Sequence, residues 1–315
     1  MNIIRKLIID TDLGDDIDDA FALYFAIKEK KHHMLGITTV YENTNLRARM
    51  AKKLVKLMNE DIPVYAGYGK PLKGEHFQSK ERIFCQYTED IMNDEFKPMN
   101  NNESSDGEEA IDFIINSAEK YQKDLTLLCI GPLTNLAKAV QKNPQSMSKV
   151  GTVVIMGGSF YNQYREWNIV CDVEAANIVF NFGFNLHAIG FDVTQYTCVS
   201  KKVHEMLLKT KKEGCLGYFL DVFRLWDKSY QRELVLHDLL TYYYLDHKHL
   251  FSTERIPVFI ETEGTFGKGI TFNLNLLLAP HAYKSKASLV TCAKDVKYKQ
   301  FMDDVEHRLI KLLEE

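Results

Sequence analysis

The 315-residue sequence has no CxxC pair and no close His/Cys cluster; its six cysteines stand apart at positions 85, 129, 171, 198, 215 and 292. That spacing excludes zinc ribbons and a disulfide framework, and leaves buried thiols. Basic charge is not in excess either. A net charge of −4 and a pI near 6.2 provide no phosphate-neutralising field, so the expected partner is a small molecule and not nucleic acid. No apolar run reaches the length of a bilayer span, and the opening MNIIRKLIIDTD meets charge too early for a signal-peptide core. The expectation is a cytoplasmic protein without membrane contact. Internal repeats, linkers and low-complexity tracts are also missing.

What is there is enough apolar residue, 45% of the chain, to bury a substantial core in one domain spanning 1–315. Strand-length apolar runs alternate with helical patterns: Leu7–Ile9 then Ala20–Ile27, Met34–Val40 then Leu46–Met58, and next Ile62–Tyr65. The rhythm resumes with Ala110–Tyr121, Leu125–Ile130, Leu133–Gln141 and Val153–Met156. It predicts an α/β fold, a single open and mostly parallel sheet flanked by helices, with a Rossmann-like core. Helical patterns at Lys201–Lys209, Leu216–Trp226 and Leu239–Leu245, a strand at Ile256–Ile260 and a closing helix over Asp295–Leu313 complete the chain. Residues 67–106 are polar and without period, and read as a long surface loop or flap.

The stretch IIDTDLGDDIDDAFAL places six aspartates within ten residues, between the first strand and the first helix. Ligands of open α/β sheets sit at the carboxyl ends of strands, where Asp10 and Asp12 fall. Asp18 and Asp19 open the helix, where capping explains one or two carboxylates but not six. Crowded carboxylates need a counter-charge, and a hard divalent cation with oxygen ligands supplies it. An EF-hand is excluded by register: with Asp10 in first position, Asp15 stands where glycine is required and Phe21 where glutamate is. The ligands of such a site would come from distant segments. Three other stretches end in polar residues after apolar runs: GITTVYENTNL with Asn43, LLCIGPLTNLAKA with Thr134 and Asn135, and VLHDLLTYYYL with His237 and Asp238.

With these segments in order, the chain resembles the inosine-uridine-preferring nucleoside hydrolases, which cleave the N-glycosidic bond of ribonucleosides with a bound Ca²⁺. The likeness runs through DTDLGDDIDDAFAL, GITTVYEN, IPVYAGYGKPL, LLCIGPLTNLAKA, VVIMGGSF, EWNIVCDVEAA and LHDLL. It implies Asp12 as a calcium ligand and as the base for the attacking water. Asp19, the carbonyl of Ile130 and Asp238 are the further metal ligands so implied. Asp18, Asn43, Met156, Asn162, Glu166 and Asn168 match the substrate-binding set, and His237 the histidine beside the leaving base. The family's habits imply a homodimer or homotetramer.

This sequence departs from the pattern in two places. Three residues, Asp15, Asp16 and Ile17, stand where one is usual, so Asp15-Asp16 competes with Asp18-Asp19; the continuation IDDAFAL favours the second pair. The flap KGEHFQSKERIFCQYTED lacks the family's glycines, with His76 as the candidate base-side histidine, and leaves purine against pyrimidine preference open. Trp226 and Tyr230 precede His237; a tryptophan in an apolar helical pattern reads as core. Two rivals stand beside this reading. LIIDTDLG resembles the first motif of haloacid-dehalogenase-type phosphatases, though Leu13 breaks it, and a calcium- or ribose-binding module without turnover would keep the same pocket.

Overall fold

The computed structural model describes residues 4–14, 16–77, 107–277 and 287–314. Six strands alternate with helices in the first two thirds: β1 (Lys6–Thr11), β2 (His33–Thr39), β3 (Val64–Ala66), β4 (Leu125–Cys129), β5 (Thr152–Met156) and β6 (Leu186–Ile189). Between them run α1 (Asp18–Glu29), α2 (Thr44–Leu57), α3 (Glu108–Tyr121), α4 (Thr134–Lys142), α5 (Pro144–Met147), α6 (Trp167–Cys171) and α7 (Val173–Asn181). The remainder comprises α8 (Phe191–Thr194), α9 (Lys201–Lys209), α10 (Gly214–Tyr230), α11 (His237–Tyr244), β7 (Phe251–Ile260), β8 (Thr271–Asn273), β9 (Leu289–Val296) and α12 (Tyr298–Glu314).

The strands form one sheet in the order β3-β2-β1-β4-β5-β6-β9-β7-β8. Every pairing from β3 to β9 is parallel, and β7 and β8 are antiparallel additions at one edge. Parallel strands covered on both faces read as continuous apolar runs, which is why LTLLC of β4 is buried throughout. Successive residues face opposite layers. Leu7 and Ile9 join the core beneath α1, α10 and α11, while Ile8 joins the core beneath α3, α4 and α7. Helix α1 is buried from Asp18 to Ile27, so it lies inside the molecule and shows no polar face over that span.

The polar strand beginnings and the shortest elements escaped the sequence pattern. β7 starts at Phe251, five residues before the expected Ile256, because its polar first half pairs with β9. The closing helix begins at Tyr298 and not at Asp295, since Asp295 and Val296 end β9 opposite Ser252 and Phe251. Of the expected flap, residues 67–77 carry no helix or strand and 78–106 lie outside the described residues. No described helix is long and apolar enough to cross a membrane.

Candidate active site

The chain leaves β1 for β2 on one side and places β4 on the other, so a crevice opens beyond the ends of β1 and β4. Asp10 lies buried beneath it. Its Oδ1 accepts from Thr38 Oγ1 at 2.6 Å and from Asn135 Nδ2 at 2.7 Å, which joins β1, β2 and α4. Asn135 in turn accepts from Tyr68 N at 2.8 Å. Burial pushes the Asp10 carboxyl up to about 7. This side chain braces the turn.

Above it the carboxylates of Asp18, Asp19 and Asp238 converge, with one oxygen of each within 4.8 Å of the others. All three are buried. Asp18 and Asp19 stand in the first turn of α1 and Asp238 in that of α11, so two helix N-termini direct positive dipole ends at the cluster. Asp18 Oδ2 accepts from the backbone N of Asp238 at 3.1 Å, and Thr11 Oγ1 donates to Asp19. Asp18 thereby ties the start of α11 to the start of its own helix. Burial, and after it the carboxylates of neighbouring aspartates, raise all three acids well above the usual range. Asp12 is among those neighbours and lines the same cavity.

Repulsion of this kind calls for a cation, and the residues present fit one. The three carboxylates form the one such group found among the described residues. Their donor set is all oxygen, as a hard divalent ion prefers. Ile130, the first residue past β4, stands on the cavity wall, and its carbonyl accepts from Asn168 Nδ2 at 3.0 Å. A second lone pair on that oxygen is available to a metal.

The cavity encloses about 500 Å³, a volume suited to a small ligand. One wall carries Met156, Glu166 and Asn168. Glu166 caps α6, accepting from Asn168 N at 2.8 Å, Gly158 N at 3.0 Å and Ile169 N at 3.1 Å, and burial lifts it to about 7. Asn168 Nδ2 also donates to Met156 O at 3.0 Å. His237, Phe191, Tyr164, Phe77 and Trp167 line the cavity as well. Burial holds His237 down to about 4, so the imidazole is neutral at pH 7.

Asp12, Asp18, Asp19, Ile130, Met156, Glu166, Asn168, His237 and Asp238 therefore meet in one cavity. Asn43 and Asn162 do not line it. Asn43 caps α2 by accepting from Leu46 N at 3.0 Å. Asn162 is exposed, and its backbone N donates to Asp192 at 3.0 Å. Asp16 stands at the rim, ion-paired to Arg232, while Asp15 lies outside the described residues. Trp226 is only 1% exposed and belongs to the core, and Tyr230 lies under Arg232. His76 sits against Tyr41 and bonds to Gly69 O, outside the lining of this cavity.

Sequence reasoning missed Arg47, which is fully buried. Its guanidinium donates to the carbonyls of Asp12, Leu13 and Tyr41, tying the aspartate turn to the loop after β2. The signal was present, because Arg47 shares the inward stripe of α2 with Met50, Ala51 and Leu54. Phe191, Asp192 and Thr194 were missed as well, since FDVT makes only one turn of helix.

A buried cluster of carboxylate oxygens and a histidine lining one cavity of about 500 Å³, at the switch point of a parallel sheet, is an arrangement suited to metal-assisted hydrolysis of a small molecule. The model of the inosine-uridine preferring nucleoside hydrolases matches residues 7–303, and the chain belongs to that family. It is 33% identical to the probable uridine nucleosidase 2 of Arabidopsis thaliana, covering 87% of this chain and 85% of the relative. It is 32% identical to the inosine-uridine preferring nucleoside hydrolase of Leishmania major, with 85% and 87% covered. The purine-preferring ribonucleoside hydrolase of Gardnerella vaginalis superimposes with a TM-score of 0.78 at 28% identity, over 98% of this chain and 99% of the other. The protein is an N-ribohydrolase acting on ribonucleosides.

Proposed function

We propose that the enzyme hydrolyses ribonucleosides to free base and ribose in a Ca²⁺-dependent reaction, with Asp12 as the base and His237 on the leaving-group side. The observation that carries this reading is the meeting of Asp12, Asp18, Asp19 and Asp238 in a cavity that His237 also lines. Asp12, Asp19, Asp238 and the Ile130 carbonyl are the residues to hold calcium. When bound, calcium offsets the carboxylate charge, orients the ribose hydroxyls and polarises the attacking water.

Asp12 accepts a proton from that water as its oxygen bonds to C1′. The C1′–N bond breaks with its electron pair passing to the base. In this reading Glu166 and the amide oxygen of Asn168 stabilise the positive charge that grows on the ribosyl ring. Asp18, Met156, Glu166 and Asn168 bind the ribose. His237 donates a hydrogen bond to the departing base, and the base takes up one proton overall. The Arabidopsis and Gardnerella relatives carry different base preferences in their names, so family membership leaves the base unassigned.

The test is reducing-sugar release from inosine, uridine, cytidine, adenosine and guanosine, with calcium, after chelation, and after calcium is restored. Release that chelation abolishes and calcium restores is expected. Asp12→Asn should lower kcat by about 10²–10⁴-fold, the range for acid–base groups. Undiminished turnover in chelator would overturn the metal assignment.

A further inference from the structure

Helix α8 has no part in the ribose and metal roles above, yet it contacts both His237 and the loop that leads to Glu166. Thr194 is fully buried, and its hydroxyl lies 2.8 Å from Nδ1 of His237. The Phe191 ring stacks near-parallel on the imidazole, at 5.9 Å and 18°. Tyr164 stacks on Phe191 in turn, at 4.4 Å and 15°. An imidazole has two torsions to lose, a swing about χ1 and a spin about χ2. The ring contact restrains the swing, and the hydrogen bond at Nδ1 restrains the spin. With Nδ1 engaged, Nε2 is the nitrogen left for the cavity. Among the described residues it has no hydrogen-bond partner.

Between Phe191 and Thr194 stands Asp192, buried, whose carboxylate gathers four donors from the loop after β5. These are Ser159 Oγ at 3.1 Å and the backbone N–H groups of Phe160, Tyr161 at 3.2 Å and Asn162 at 3.0 Å. Phe191 N also donates to Gly158 O at 2.7 Å. One short helix therefore holds His237 on one side and, on the other, the loop that leads to Glu166 and Asn168.

We propose that α8 sets the orientation of the leaving-group histidine: Thr194 and Phe191 are positioning residues for His237, and Asp192 locks them in register with the ribose-binding wall. The proposal rests on the reading of His237 as the base-side group. It is specific about chemistry. Misplaced, His237 fails a leaving base that needs a hydrogen bond, but costs nothing to a leaving group that departs as a stable anion.

The experiment compares inosine and uridine with 4-nitrophenyl β-D-ribofuranoside, whose phenolate leaves without a proton, in calcium-loaded enzyme. Thr194→Val is expected to lower kcat on the nucleosides about 10- to 100-fold, the scale of a small misplacement of a catalytic group. The same variant should lose less than about 3-fold on the nitrophenyl riboside, because the hydrogen bond at issue is not used there. Thr194→Ser, which restores the hydroxyl, should restore the ratio. Phe191→Leu should shift the ratio in the same direction, and Phe191→Tyr should not. His237→Ala gives the full size of the effect. Equal losses on both substrate types, or no loss on either, would overturn the proposal while leaving the hydrolase reading intact. A wild-type enzyme that releases ribose from none of these compounds would instead overturn the proposed function. The ¹⁵N shifts of the His237 imidazole, read with and without Thr194→Val, then decide α8 separately: an unchanged tautomer balance refutes it.

Discussion

Arg47 shows how much a single side chain contributes beneath this site. Its guanidinium binds three carbonyls on two loops, the first of them that of Asp12, and lies 3.9 Å from the Glu42 carboxylate, while its charge favours the ionised form of Asp19. Arg47→Met keeps the aliphatic volume but leaves those carbonyls without their donor in a dry environment. Leaving buried acceptors without their donor costs about 1–3 kcal/mol for each such group. Urea unfolding should report a loss in that range, and calcium affinity should fall with it because Asp12 is no longer anchored. A variant with unchanged midpoint and calcium titration would show that the guanidinium is a passenger. Lysine at 47 would not substitute, since one ammonium cannot span carbonyls that a planar fork reaches together.

Elements bring the site together at one close approach, where the turn after β4 meets the end of β1. A Cβ at Gly131 would lie 2.8 Å from Asp12 Oδ1 and 2.9 Å from Asp12 N, closer than side chains tolerate. Gly131→Ala should therefore displace the Asp12 carboxylate and cut kcat by about 100-fold, the scale of an ångström-size misplacement. Wild-type circular dichroism with that loss in the ribose-release assay is the expected pair; full activity would mean the turn relaxes freely. GPLTN was legible in the sequence as a turn between strand and helix, and so were the strands whose burial on both faces makes them apolar throughout. The acidic pair could be chosen as Asp18-Asp19 because the helix continues from it. What the sequence concealed follows from pairing and not from periodicity. β6 has four residues, β9 carries charge, and α8 is a single turn, so none shows a period of its own. Asn43 matched a family position, and its side chain is engaged as a cap in this structure. The bracing of Asp10 by Thr38 and Asn135 joins residues 125 positions apart, a distance no local pattern spans.

Across the protein as a whole, the response to acid separates groups inside the aspartate site from groups outside it. His187 on β6 belongs to the second kind: its Nδ1 lies 2.9 Å from Tyr244 Oη, and its ring packs against that of Tyr244. Burial, with the nearby Lys248 ammonium added, holds its imidazole down to about 4 against an ordinary value of 6.5. Between those values the unfolded chain carries a proton that the native protein does not. Unfolding free energy contributed by this group is therefore complete above pH 6.5 and is lost as pH falls toward 4. His187→Asn places an amide near the Nδ1 position and cannot take up a proton. Its unfolding free energy at pH 7 should be equal to or below that of the wild type, but the drop between pH 7 and pH 4.5 should be smaller. Because His187 shares no described hydrogen bond with the aspartate cluster, the acid response of the cluster cancels in the comparison. Urea midpoints at both pH values for both proteins measure the difference, and parallel pH curves would mean that His187 titrates alike in the native and unfolded chains.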